Sequence, residues 1–122
     1  MPESEKPNWR PISFLPKIAE MIDGMLEAVV ENQKLLGKAE PASLDDATVS
    51  RVMSVYTTQR DDLWLYEDQL AVWRKTPLNE SQTLEITRLE KQLGELRRGL
   101  EKILAMKPDL EKMTIEHLLG KR

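Results

Sequence analysis

From Ile86 to Ile103 the apolar residues recur at alternating intervals of three and four: Ile86, Leu89, Leu93, Leu96, Leu100 and Ile103. The same alternation runs through Val49, Val52, Tyr56, Gln59, Leu63, Tyr66, Leu70 and Trp73, with one polar residue, Gln59, in the row. A half-buried strand needs a period of two, whereas intervals of three and four draw one stripe along an α-helix. Sustained over several turns, this is the seam of a coiled coil. A helix with one apolar stripe must hide it against another element, so the pattern confines the chain to helix-on-helix packing.

Prolines divide the chain into its units. Pro2, Pro7, Pro11 and Pro16 punctuate the N-terminal region, Pro41 and Pro77 separate long periodic segments, and Pro108 follows the third. Proline disfavours helix in the residue before it, so each marks a boundary. The expectation is a single domain over 1–122: an extended arm over 1–11, helices over about 12–37, 44–75 and 80–107, and a tail over 108–122 with a short helix near Thr114 to Leu119. The first helix ends at Gly37 as a C-cap. The second starts in SLDD, with Ser43 as N-cap and Asp45 and Asp46 at the positive end of the dipole. Asn79 and Gln82 have the spacing of a capping box for the third.

Projected at a helical period, Leu15, Ile18, Ile22, Met25, Leu26, Val29 and Leu36 share one face of the first helix. Phe14, Met21, Ala28 and Leu35 widen it on one flank, Ala19 and Val30 on the other. That is wide enough for two partner helices. The stripe of the third helix is narrow and its far side charged, which reads as a peripheral helix. Gly94 and Gly99 lie off its seam, and a tolerated surface glycine is the plainer account of both. Short connections make successive helices antiparallel neighbours. The fold class expected is therefore all-α: an elongated antiparallel three-helix bundle with a short C-terminal fourth helix, dimerising side by side.

Composition limits what such a bundle does. The net charge is -3 with both signs interspersed among 32% charged residues, so no global field draws the chain to nucleic acid or anionic lipid. There is no cysteine, which removes disulfides and thiolate metal sites and suits a reducing compartment. The polar, proline-rich start is unlike a signal peptide, and no apolar run approaches the roughly 20 residues of a membrane span. The expectation is a soluble cytoplasmic protein.

No catalytic pattern emerges. A two-metal carboxylate bundle needs paired Glu-x-x-His motifs, whereas the single histidine, His117, is preceded at that spacing by Thr114. Glu20, Asp23, Glu27 and Glu31 lie opposite the apolar face and read as a solvated surface. His117 has no evident Ser or Asp partner, so an enzyme is not expected, and neither metal nor cofactor is implied. Arg88, Lys91, Arg98 and Lys102, with Arg97, are weak candidates for phosphate contacts, because Glu85, Glu90, Glu95 and Glu101 dilute them and no aromatics interleave.

Two adjoining stretches carry more. In TTQRDD, Gln59 sits in the seam, Arg60 is near it, and Tyr56 and Tyr66 bring hydroxyls to the same layer. A structural polar layer is the leading reading, ahead of a solvated face or a small-ligand pocket at Tyr56, Gln59 and Arg60. The following LWLYEDQLAVW is apolar on nearly every side, and a helix apolar all round is buried all round. Either the N-terminal arm with Trp9 and the tail cover it internally, or it pairs with another subunit. The second is favoured, because aromatic residues are enriched at interfaces. The interface candidates are Trp64, Leu65, Tyr66, Val72 and Trp73. The functional expectation is a non-enzymatic interaction module, such as an adaptor, a chaperone-like factor or a small assembly subunit, working as a homodimer or on a protein partner.

Overall fold

The computed structural model describes residues 8–38 and 45–120 of the chain, the side chains of residues 116–118 and 120 excepted. In chain order it has a 3-10 turn at Ile12–Phe14, then α1 (Leu15–Gly37), α2 (Asp46–Arg74), α3 (Glu80–Ala105) and α4 (Lys107–Gly120). The described residues contain no strand. The all-α bundle expected from the seams is the fold observed.

Local chemistry sets the ends. Phe14 N–H donates to the Pro11 carbonyl at 2.9 Å and closes the turn that leads into α1. Pro16 falls in the first turn of α1, where a missing N–H costs nothing. Asp45, not Ser43, is the cap of α2: Thr48 N–H donates to Asp45 Oδ1 at 2.7 Å, and Ser43 lies outside the described residues. Gly37 is the last residue of α1, and Lys38 takes the capping position. Asn79 and Gln82 form the capping box of α3, with reciprocal bonds of 2.8 and 3.0 Å. The tail differs most from expectation. α3 stops at Ala105, Met106 makes the break, and α4 runs unbroken from Lys107 to Gly120. Pro108 ends one helix and sits in the first turn of the next, a position that proline tolerates.

α3 is the shared partner of the bundle rather than a peripheral helix. It packs along α1 on one side and along α2 on the other, whereas α1 and α2 barely touch each other. Its whole seam, from Ile86 to Ile103, is buried. A narrow stripe suffices because each neighbour takes one shoulder of it. On the α1 shoulder the helices meet at Gly99, where a Cβ would lie 2.7 Å from Val29 Cγ1. This glycine therefore marks a close helix approach. Gly94, whose Cβ would only reach ordinary contact at 3.6 Å from Arg98, is the tolerated one.

The consequence for α1 is a face wider than its cover. Leu15, Ala19, Ile22 and Val29 are buried. The flank of Phe14, Met21, Ala28 and Leu35, spaced every seven residues, stays exposed, Leu35 by 57%. Among the described residues, no second partner helix of the kind that the width of this face implied covers that flank. α4 instead packs against α2 and α3 through Leu110, and the Thr114 hydroxyl reaches Asp46 Oδ1 at 2.7 Å.

A groove between α1 and α2, strapped by the N-terminal arm

Because α1 and α2 are held apart by α3, a groove runs between them. One stretch of it, about 420 Å³, is lined by Ile18 and Met21 of α1, by Asp62, Leu65, Tyr66 and Gln69 of α2, and by Asn8, Trp9 and Arg10. The arm closes this end as a strap. Arg10 N–H donates to Gln69 Oε1 at 2.8 Å, and Gln69 Nε2 donates back to the Arg10 carbonyl at 3.4 Å. The indole Nε1 of Trp73 donates to the same carbonyl at 2.8 Å. Gln69 and Trp73 are only 5% and 2% exposed, so each polar group has its partner where burial demands one. The Arg10 guanidinium lies over the Phe14 ring, 5.4 Å from its centre.

The strap divides the apolar end of α2. Trp73 is internal, Tyr66 and Val72 are half-buried, and Trp64 and Leu65 remain open at 43% and 36%. Leu65 belongs both to the wall of the groove and to this open patch. Burial pushes the hydroxyls of Tyr56 and Tyr66 above the ordinary tyrosine range, with Asp62 adding to the effect at Tyr66.

The polar stretch before it splits. Tyr56 is buried, and Gln59 is half-buried with its Oε1 fully enclosed and without a hydrogen-bond partner. Arg60 turns outward to its neighbour Asp61 at 3.3 Å, and both are solvated. Among the described residues, Arg60 pairs with Asp61 and with no carboxylate on a neighbouring helix.

The basic residues of α3 are partly spent within the bundle. Arg88 bridges Asp23 of α1 at 2.9 Å and Glu85 at 2.8 Å. Hydrogen bonds from its guanidinium hold both carboxyls below the usual carboxylate range. Arg97 pairs with Glu67 at 2.8 Å. On α2, Arg74 takes Glu90 at 2.7 Å and lowers that carboxyl likewise. Lys91, Arg98 and Lys102 are exposed but are left without Arg88 or Arg97 as free neighbours. Glu20, Glu27 and Glu31 are exposed, and no group of three potential metal ligands exists among the described residues. His117 lies outside the described side chains. Among the described residues, no helix is long and apolar enough to cross a membrane.

Two features had no signal in the sequence pattern. Gln69 falls off the seam of α2, and nothing local marks it as the partner of a residue 59 positions earlier. A second groove, about 960 Å³, lies between the starts of α1 and α3, where Leu84 stands 64% exposed beside Ile12, Leu15, Glu80 and Arg88. Compared with family models, curated proteins and solved structures, the chain matches none.

Proposed function

We propose that this chain is a non-enzymatic helical interaction module that associates through the exposed face of α2, most simply with a second copy, in the cytoplasm. The observation that carries the reading is the pair Trp64 and Leu65. They stand open side by side on α2, where Val55 is the other large apolar residue left exposed, and Leu65 borders a groove whose far wall includes the exposed Met21 of α1. Aromatic and aliphatic residues grouped in this way, with Asp61 and Asp68 at the edge, have the anatomy of an apolar interface centre with a polar rim. A two-fold pairing uses the same patch on both subunits. An adaptor, a chaperone-like factor or a small assembly subunit would use such a face.

Light scattering coupled to gel filtration at micromolar concentration tests it. The wild-type chain is expected to run as a dimer, and Trp64→Glu with Leu65→Glu as a folded monomer. A wild-type monomer across the concentration range would rule the pairing out.

A second reading has one observation in its favour. The enclosed Gln59 Oε1 lacks a donor, and a water or a small ligand bearing an N–H or O–H would supply one. A metabolite screen by thermal shift distinguishes this ligand-binding bundle, since a specific hit should vanish in Gln59→Leu.

A further inference from the structure

The place that holds the N-terminal arm reads main chain, not side chain. All three hydrogen bonds that hold the arm are to Arg10 main chain: its N–H donates to Gln69 Oε1 at 2.8 Å, and its C=O accepts from Gln69 Nε2 at 3.4 Å and from Trp73 Nε1 at 2.8 Å. A glutamine amide offers a donor and an acceptor in one plane, so it pairs with an extended backbone much as a neighbouring strand does. None of these bonds touches the Arg10 side chain. Pro11, at φ -68° and ψ 161°, keeps the chain extended just beyond and brings no competing N–H. With the arm lifted, Gln69 and the Trp73 indole, buried while it is in place, would be exposed and would exchange three fitted hydrogen bonds for water, so the clamp favours being filled.

We infer that this clamp accepts the same arm from a second copy, so that paired chains exchange residues 8–11 across their α2 faces. The inference rests on the pairing proposed above. Asn8 to Pro11 is the segment whose fit the structure demonstrates, and a second copy supplies it with identical chemistry. The arm joins the bundle through the short turn Ile12–Phe14, and the first buried residue after it is Leu15. Redirecting the chain at Pro11 therefore moves the arm without disturbing the core. The wall of the clamp's groove includes Leu65, which is also part of the open patch, so a neighbour that covers the patch stands at the mouth of the clamp. Exchange re-forms every bond that it breaks. The tethered arm competes at an effective concentration on the order of millimolar. Exchange therefore prevails when Trp64 and Leu65 are buried in the same event, which couples arm and face.

The absence of cysteine gives a direct test. Asn8 and Asp62 are both exposed and line the same groove. Full-length chains carrying Asn8→Cys and Asp62→Cys separately are mixed and oxidised. Arm exchange yields a disulfide-linked heterodimer in excess over both homodimers. That excess is lost when the Asp62→Cys chain also carries Gln69→Ala or Trp73→Phe, which keeps an aromatic ring but has no N–H to donate. Light scattering on the wild-type chain separates the failures. A dimer whose mixed variants give no cross-chain bond overturns arm exchange and leaves the α2 pairing standing. A cross-chain bond indifferent to both Gln69→Ala and Trp73→Phe overturns it as collision. A monomer overturns exchange and pairing together.

Discussion

Gly99 and Val29 leave no room for a methyl group between α3 and α1: a Cβ at position 99 would stand 2.7 Å from Val29 Cγ1. Carbon atoms in good contact sit about 3.5–4.0 Å apart, so one of the helices would have to yield. Val29 is fully buried and β-branched, with little rotameric freedom to turn away. Gly99→Ala is therefore expected to lower unfolding free energy by about 1–3 kcal/mol, despite the better helix propensity of alanine. Gly94→Ala meets only ordinary contact and should raise stability by up to about 1 kcal/mol. Urea denaturation of the two variants checks the contrast. Adding Val29→Ala to Gly99→Ala should cost less than the two changes summed, since each relieves the other.

Gln59 puts a buried oxygen with no donor into the seam of α2. Leaving such a group unpaired costs about 1–3 kcal/mol, and an apolar residue of similar shape avoids that cost. Gln59→Met is thus expected to raise the melting temperature, by a few degrees for a chain of this size. A fall instead would mean that the amide has a donor, such as an enclosed water. The seam would become wholly apolar in this variant, and a polar seam residue is a known determinant of register and association state. Gel filtration of Gln59→Met should accordingly broaden.

Three carboxyls, Asp23, Glu85 and Glu90, are held below their ordinary range by hydrogen bonds from Arg88 and Arg74. For an acid whose folded value is lowered, the stabilisation is complete above the unfolded value and disappears as pH falls through the folded one. Stability should therefore be flat from neutrality down to the ordinary carboxylate range near 4 and decline below it. These pairs face solvent, where screening leaves each only a small contribution to stability. Arg88→Met removes the partner of two of the three carboxyls and should flatten the acid limb while shifting neutral stability little. Thermal melts between pH 2.5 and 7 read both.

The seams were legible because burial imposes its period on every turn: all six seam residues of α3 are buried, as are Val49, Tyr56, Leu63, Leu70 and Trp73 of α2. What the period cannot say is which neighbour arrives. α1 has apolar width for two helices and packs along one, while the narrower α3 packs along both α1 and α2 and also meets α4, since the close approach at Gly99 compensates for width. Met53, off the expected seam, is buried as well, because a flank residue next to a seam is claimed by whichever helix lies nearest. In SLDD, Ser43 and Asp45 both suit a cap, and local propensity does not choose between them. The strap was least legible. Trp9 suggested that the arm could cover α2, but the bonds come from the backbone of Arg10, and backbone atoms carry no sequence signature.

The strap also sets what breaking it does. It sits at one end of the bundle, so its release exposes Trp73 and Gln69 without separating α1 from α3. Gln69→Ala removes two of the three bonds to Arg10, and Trp73→Phe removes the third while keeping an aromatic ring, though a smaller one. Each neutral bond is worth about 0.5–1.5 kcal/mol, and little of that is felt by helices held together through α3. The expected outcome is local. In Gln69→Ala the Arg10 amide should exchange with solvent deuterium faster by about tenfold or more, since each 1.4 kcal/mol of lost opening free energy is a factor of ten. The amides of Leu63 and Ile86, in core turns, should keep their protection. Exchange measured by NMR on both variants separates this from a general loosening. If Arg10 and the core amides sped up together, the arm would be an integral part of the core rather than a strap laid upon it.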